Sequence, residues 1–241
     1  MELKFNNTFK KASFKERSAM DRKFYEEKYL VTDYKRLLLI DRAFIKALVA
    51  KYNLPRGFLL DLGCGTGWYS NLFGELGFKV VSIDYSKAGI FRAKKTYGDK
   101  IYWVVGDALN IPFHSKQKFN VIFCCDFPPY NLIDSPKEAI EITKKFFEML
   151  NKNGIFIFIW SSKLTGKRIK DDVIIEYNTS QVKEIFANVG EIIGDIYTTN
   201  KPLFPLLGKQ AISKFITKLT TFGVKVHQKN VRIICGVKKI N

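Results

Sequence analysis

Residues 58–70 read FLLDLGCGTGWYS: an apolar run, an acid, then three glycines at alternate positions. The run Phe58–Leu62 is apolar apart from Asp61, which predicts a buried strand. Gly63, Gly65 and Gly67 follow at once. Glycine admits positive φ and carries no side chain, so such a turn leaves its backbone open to a ligand. A dinucleotide fingerprint, G-x-G-x-x-G, would put its third glycine at position 68, where this chain has Trp. Trp68 cannot supply the close helix–strand approach of that third glycine, which disfavours a pyrophosphate ligand. No Lys-Ser/Thr pair follows the glycines, so the stretch is not a phosphate loop either.

Working outward, short apolar runs recur at Lys79–Ile83, Ile101–Val105, Val121–Cys125, Ile155–Trp160, Glu191–Tyr197 and Val231–Val237. Between them lie helix-compatible stretches, among them Lys87–Tyr97 behind a capping Ser86, Pro136–Leu150 and Ser180–Val189. The alternation predicts an α/β fold with a doubly wound sheet, in which ligands sit beyond the carboxyl ends of the strands. Two acids mark those ends. Asp84 closes the second strand and is placed to accept bonds from ribose hydroxyls; Asp107 follows the third, in VVGDALNIPF.

With LDLGCGTG, VVSIDYS, VVGDALNIPF and FNVIFCCDFPPYN in this order and spacing, the chain resembles the class I S-adenosylmethionine-dependent methyltransferases. The motifs cover about residues 56–160, and the strand order extends the resemblance to 241. It implies a seven-stranded, mostly parallel sheet of order 3-2-1-4-5-7-6, with the last strand antiparallel. N-terminal helices and a helical insertion between strands six and seven accompany it. It also implies S-adenosyl-L-methionine as cofactor. By position, Asp61 and the loop residues Gly63, Cys64, Gly65 and Gly67 hold the methionine end of that cofactor. Asp84, with Tyr85 beside it, faces the ribose; Asp107 and the Ala108 backbone address the adenine.

Residues 1–55 read as an N-terminal helical cap, with Leu37, Ile40, Phe44 and Leu48 at helical spacing and Tyr25, Tyr29 and Tyr34 in a less regular helix before them. Residues 56–241 form the methyltransferase domain. Within 198–230, Ile212, Phe215, Ile216 and Leu219 share one helical stripe, as in a surface helix or a lid. The formal net charge of +17 is uneven: +6 in residues 1–55, +2 in 56–200 and +9 in 201–241, which has no acid. The implied topology puts 198–230 and the basic stretch SSKLTGKRIK (161–170) above the ligand side of the sheet. A small or medium acceptor of anionic character fits that arrangement. An RNA or tRNA acceptor stays open, as does a cofactor-binding module without catalysis.

Methyl transfer from a sulfonium needs alignment, worth on the order of 7–11 kcal/mol in ideal intramolecular cases, and exclusion of water. It needs neither a metal nor a covalent nucleophile. The fourth strand ends in Asp126-Phe127-Pro128-Pro129-Tyr130-Asn131, below the expected position of the methyl group. Asp126 and Tyr130 are therefore the catalytic candidates, Asp126 either toward the acceptor or toward the cofactor's amino group. The Pro-Pro-Tyr resembles the D/N-P-P-Y motif of amino-group methyltransferases, but Phe127 separates the acid from the prolines. His114 and His227 are the only histidines, and each is a weaker candidate base. Trp68, Tyr69 and Trp160 suit either pocket wall or core. Cys64, Cys124, Cys125 and Cys235 lack metal spacing and read as free thiols. The longest apolar runs fall short of the roughly 18–20 residues that cross a bilayer, so a soluble cytoplasmic protein is expected.

Overall fold

A computed structural model describes residues 13–31, 38–111, 118–127, 130, 132–133, 135–162, 169–170, 175–176, 179–199 and 231–240. Two helices come first, α1 (Phe14–Val31) and α2 (Leu38–Lys51). Ser13 and Glu16 form a capping box at the start of α1. Ser13 Nα donates to Glu16 Oε2 at 2.7 Å, and Glu16 N donates back to Ser13 Oγ at 3.3 Å.

The sheet strands are β1 (Phe58–Leu62), β2 (Lys79–Asp84), β3 (Tyr102–Val105), β4 (Phe119–Cys125), β5 (Leu150–Ser162), β6 (Glu191–Thr199) and β7 (Val231–Lys238). Between them run α3 (Trp68–Glu75), α4 (Lys87–Tyr97), α5 (Pro136–Glu148) and α6 (Thr179–Ala187). The sheet order is β3-β2-β1-β4-β5-β7-β6, as expected from the sequence. The first five strands pair in parallel, while β7 lies antiparallel between β5 and β6. A small antiparallel pair, residues 169–170 with 175–176, stands apart from it.

Alternation along each strand splits the core in two. Leu60, Leu62, Ile122, Phe156 and Phe158 face α5 and α6, which contribute Phe146, Phe147, Val182 and Phe186. Leu59, Val80, Val121, Phe123 and Ile157 face the other way, against Ile45 and Leu48 of α2 and Leu72 and Phe73 of α3. Both faces of the central strands are covered, which is why these strands read as unbroken apolar runs.

Several boundaries differ by a few residues from the sequence reading, the largest at the start of β5. The helix expected to reach Leu150 stops at Glu148, because Leu150 already pairs with Phe119. Between that pair and Val121–Ile155 the register shifts, and Asn153 takes up the extra length at φ +63°. The insertion helix expected within 198–230 lies outside the described residues from 200 onward, and most of 161–170 does too. Among the described residues no helix is long and apolar enough to cross a membrane.

Candidate active site

A cavity of about 300 Å³ opens at the carboxyl ends of β1, β2 and β4. Three of its walls are strand-end acids: Asp61 on β1, Asp84 on β2 and Asp126 just past β4. The floor is the loop Gly63–Thr66, and the sides are aromatic: Tyr25 and Tyr29 from α1, Trp68 and Tyr69 from α3, with Tyr85 and Phe127. No lysine or arginine is among the described lining residues.

The loop takes positive φ at Gly63 (68°), Gly65 (54°) and Gly67 (77°), so glycine is required by conformation. What surrounds these glycines is protein. A methyl group on Gly63 would lie 2.8 Å from Phe127, and one on Gly65 would lie 2.6 Å from the Tyr29 hydroxyl. The loop's amides also turn inward. Gly63 and Cys64 donate to the Ile83 carbonyl at 2.9 and 3.2 Å, and Gly67 donates to Cys64 O at 2.9 Å. Gly65 donates to Asp84 Oδ2 at 2.8 Å. An anion-binding nest needs such N–H groups aimed at its ligand. Here four are committed to the protein, and the facing charges are carboxylates. The site suits a cationic ligand and repels a phosphate.

Each acid is held in its own way. Asp61, 2% exposed, accepts the Ser70 hydroxyl at 2.5 Å. Asp84 clamps the loop: besides Gly65, its Oδ1 accepts the Ser86 N–H at 2.9 Å. Burial pushes its carboxyl up to about 6, although both N–H bonds pull it down.

Asp107 accepts Leu109 N–H at 2.9 Å and pairs with Arg22 of α1. It lies outside the main cavity, in a narrow crevice where Arg22 and Asp21 meet Gly63, Asp84, Tyr85, Asp107 and Ala108. The Tyr85 hydroxyl donates to Asp21 Oδ2 at 3.0 Å, and burial raises its pKa well above the ordinary tyrosine range. Burial likewise raises the Cys64 thiol, which disfavours a thiolate there.

Asp126 stands in the left-handed region at φ +49°, with its N–H fixed to the Ile159 carbonyl at 3.0 Å. A non-glycine residue seldom adopts that conformation. It lifts the carboxylate into the cavity beside Cys125.

Tyr130, expected at the reacting centre, is placed elsewhere. It is 1% exposed, packs against Phe158, and shares a 2.8 Å hydrogen bond with Thr143 of α5. Its N–H donates to the Phe127 carbonyl at 3.2 Å, and its ring lies among the core aromatics. Trp68 and Tyr69 both line the cavity, Tyr69 with its ring also against Phe123. His114, His227 and the side chain of Trp160 lie outside the described residues. All four cysteines are free, and no described group of His, Cys, Asp and Glu could hold a metal ion.

The sequence reading expected a helical cap over this face but did not name Asp21, Arg22, Tyr25, Glu26 and Tyr29 of α1 as its contacts with the site. Asp21, Tyr25 and Tyr29 recur every four residues, as do Arg22 and Glu26, which was the available signal for one helix face.

Residues 59–154 match the family model of a methyltransferase domain. The protein YqeM of Bacillus subtilis, which carries a methyltransferase name, is 34% identical over 109 residues, 44% of this chain and 43% of its own length. A carboxy-S-adenosyl-L-methionine synthase of Campylobacter curvus is 27% identical over 145 residues, 58% of this chain and 59% of its own. The chain thus spans about half the length of these curated relatives. Among solved structures, the N-methyltransferase NodS of Bradyrhizobium japonicum, in complex with S-adenosyl-L-homocysteine, superposes with a TM-score of 0.61 at 13% identity. That superposition covers 90% of this chain and 97% of NodS, and it is a likeness of fold.

Proposed function

We propose, for a chain whose residues 59–154 belong to the class I S-adenosylmethionine-dependent methyltransferase family, that it transfers a methyl group from that cofactor to a small or medium acceptor. One observation carries the reading. The cavity at the switch point of a 3-2-1-4-5-7-6 sheet is lined by three carboxylates, over a loop in which the amides of Gly63, Cys64, Gly65 and Gly67 are bonded to the protein. That is chemistry for a sulfonium and an ammonium group, and it is poor chemistry for a dinucleotide pyrophosphate.

S-adenosylmethionine, when bound, supplies an electrophilic methyl group on a positively charged sulfur. Asp61 and the loop Gly63–Gly67 would hold the methionine end. Asp84 would receive the ribose, and the crevice of Gly106, Asp107 and Ala108 would take the adenine. Asp126, raised into the cavity from β4, is the residue we place nearest the reacting atoms. It orients an acceptor or removes its proton. Tyr25 and Tyr29 close the cavity from α1 and keep water from it.

The finer reading, an anionic acceptor, is supported by charge: residues 201–241 carry nine lysines and arginines and no acid. The same charge favours RNA as the second reading, which predicts tight, salt-sensitive binding. Four free cysteines agree with a cytoplasmic setting.

The test is transfer of a labelled methyl group into cell extract, fractionated into metabolites, RNA and protein. Label among small molecules is expected. Label in RNA would move the assignment to the second reading. S-adenosylmethionine binding with no label anywhere would reduce the protein to a binding module. Thermal stabilisation by NAD with none by S-adenosylmethionine would overturn the reading altogether.

A further inference from the structure

Helix α4 begins with a serine cap but has no acid in its first turn. A helix N-terminus carries partial positive charge and unsatisfied N–H groups, and an acid normally answers both. Here the acid comes from another helix, 62 residues back: Glu26 Oε1 accepts the Ala88 N–H at 3.2 Å, and Oε2 accepts the Ser86 hydroxyl. The geometry points to Glu26 as a positioning residue that ties α1 to the glycine loop and thereby sets cofactor affinity from outside the cavity. This rests on the cavity being the cofactor's seat.

The tie can be followed atom by atom. Ser86 has one hydroxyl proton and gives it to Glu26, so its oxygen is oriented to accept the Gly89 N–H at 3.0 Å. The Ser86 backbone N–H donates to Asp84 Oδ1 at 2.9 Å. Asp84 Oδ2 accepts the Gly65 N–H at 2.8 Å. Glu26 is thus three links from the loop's backbone: Ser86, Asp84, Gly65. Asp21 with Tyr85 and Arg22 with Asp107 are further polar contacts of α1 and reach different residues, and Arg92 of α4 donates to the Leu30 carbonyl at the far end of α1 at 3.0 Å.

Packing enforces the same coupling. A methyl group on Gly89 would stand 3.0 Å from the Gly65 carbonyl oxygen and 3.0 Å from Tyr29 Cδ2. Helix α1, the start of α4 and the glycine loop therefore meet with no slack, and a shift of α1 is felt at Gly65.

The experiment titrates S-adenosylhomocysteine calorimetrically into the wild type, Glu26→Ala, Glu26→Gln, Ser86→Ala and the Glu26→Ala/Ser86→Ala double variant. Amide exchange is followed in parallel at residues 63–67, with Glu141→Ala on the exposed face of α5 as control. Glu26→Ala is expected to bind about tenfold more weakly, the loss of a charge-assisted contact. Glu26→Gln keeps one acceptor and should recover part of that loss. The double variant should bind no more weakly than the weaker single variant, because both interrupt one chain. Exchange at 63–67 should quicken in Glu26→Ala and not in Glu141→Ala. Unchanged affinity in Glu26→Ala, or strictly additive losses in the double variant, would overturn the proposal. If Glu26→Ala does not fold, Glu26→Gln carries the same comparison. Should the wild type fail to bind S-adenosylhomocysteine, the cofactor reading falls, and the exchange arm alone judges the tie between Glu26 and Gly65.

Discussion

Gly67 is packed against Trp103 so closely that a methyl group on its α-carbon would lie 2.5 Å from Trp103 Cη2 and 2.9 Å from Ala93 Cβ. In a dinucleotide fold the third glycine permits close packing between a helix and the sheet. Here Gly67 does that one position earlier, as the N-cap of α3, and Trp68 is released to the cavity wall. Replacing Gly67 by alanine forces a side chain into left-handed backbone at φ +77° and into two rigid neighbours. The expected loss is about 2–4 kcal/mol, combining the conformational penalty with overpacking. Urea denaturation measures it. A loss below about 0.5 kcal/mol would mean that Trp103 gives way freely.

Tyr130→Phe separates a core role from a catalytic one. Thr143 Oγ1 already donates its only proton to the Ala139 carbonyl at 2.6 Å, so in the 2.8 Å contact Tyr130 must be the donor. Removing the hydroxyl leaves Thr143 without that donor but does not strand its own proton. The cost should be about 1 kcal/mol of stability, with methyl transfer unchanged. A large fall in turnover at unchanged stability would return Tyr130 to the reacting centre.

The contrast between these residues shows what sequence could tell. The seven strands were legible because central strands covered on both faces must be apolar, and the first four end at a glycine or an acid; their order followed from the family resemblance. The partners of those ends were not legible. Hydrogen bonds such as Gly65 to Asp84 and contacts such as Gly67 to Trp103 depend on chain segments brought together only by the fold. The same holds for α1, whose contacts with the site join residues 60 or more positions apart. Its four-residue spacing of Asp21, Tyr25 and Tyr29 defines a face, yet says nothing of which strand ends that face will cover. Tyr130 misled for a related reason: proximity in sequence to Asp126 does not place its ring, which is buried against Phe158.

Asp21 gives the protein a defined pH response. Burial pushes its carboxyl up to about 6; Asp84 nearby adds to this, while the Tyr85 hydroxyl and Arg22 pull it down without cancelling it. Asp84 is raised to about 6 as well, chiefly by burial. An unfolded aspartate titrates near 3.9, so between about pH 4 and 6 the folded state binds more protons than the unfolded one. The contribution of these two groups is full below pH 4 and is lost as pH rises through 6. Asp21→Asn keeps an oxygen for the Tyr85 hydroxyl and removes one of the two titrations. Its stability should exceed that of the wild type at pH 7.5 by on the order of 1 kcal/mol and lose most of that advantage at pH 4.5. Thermal melts at the two pH values decide this, and an equal destabilisation at both would show that Asp21 acts through its shape alone.

Asp126 carries the proposed chemistry, and its backbone allows its charge to be tested apart from its position. Asparagine tolerates the left-handed conformation nearly as well as aspartate, so Asp126→Asn should keep the Ile159 tether and the local turn. What it loses is a negative charge and a proton acceptor. If Asp126 serves the acceptor as a base, turnover should fall about a hundredfold, with S-adenosylhomocysteine affinity within about threefold of the wild type. If instead it holds the cofactor's ammonium group, affinity should fall and turnover at saturating cofactor should survive. Binding by calorimetry and turnover with labelled methyl donor distinguish the two. A variant normal in both would remove Asp126 from the mechanism and leave its strained backbone at the end of β4 as a purely structural feature.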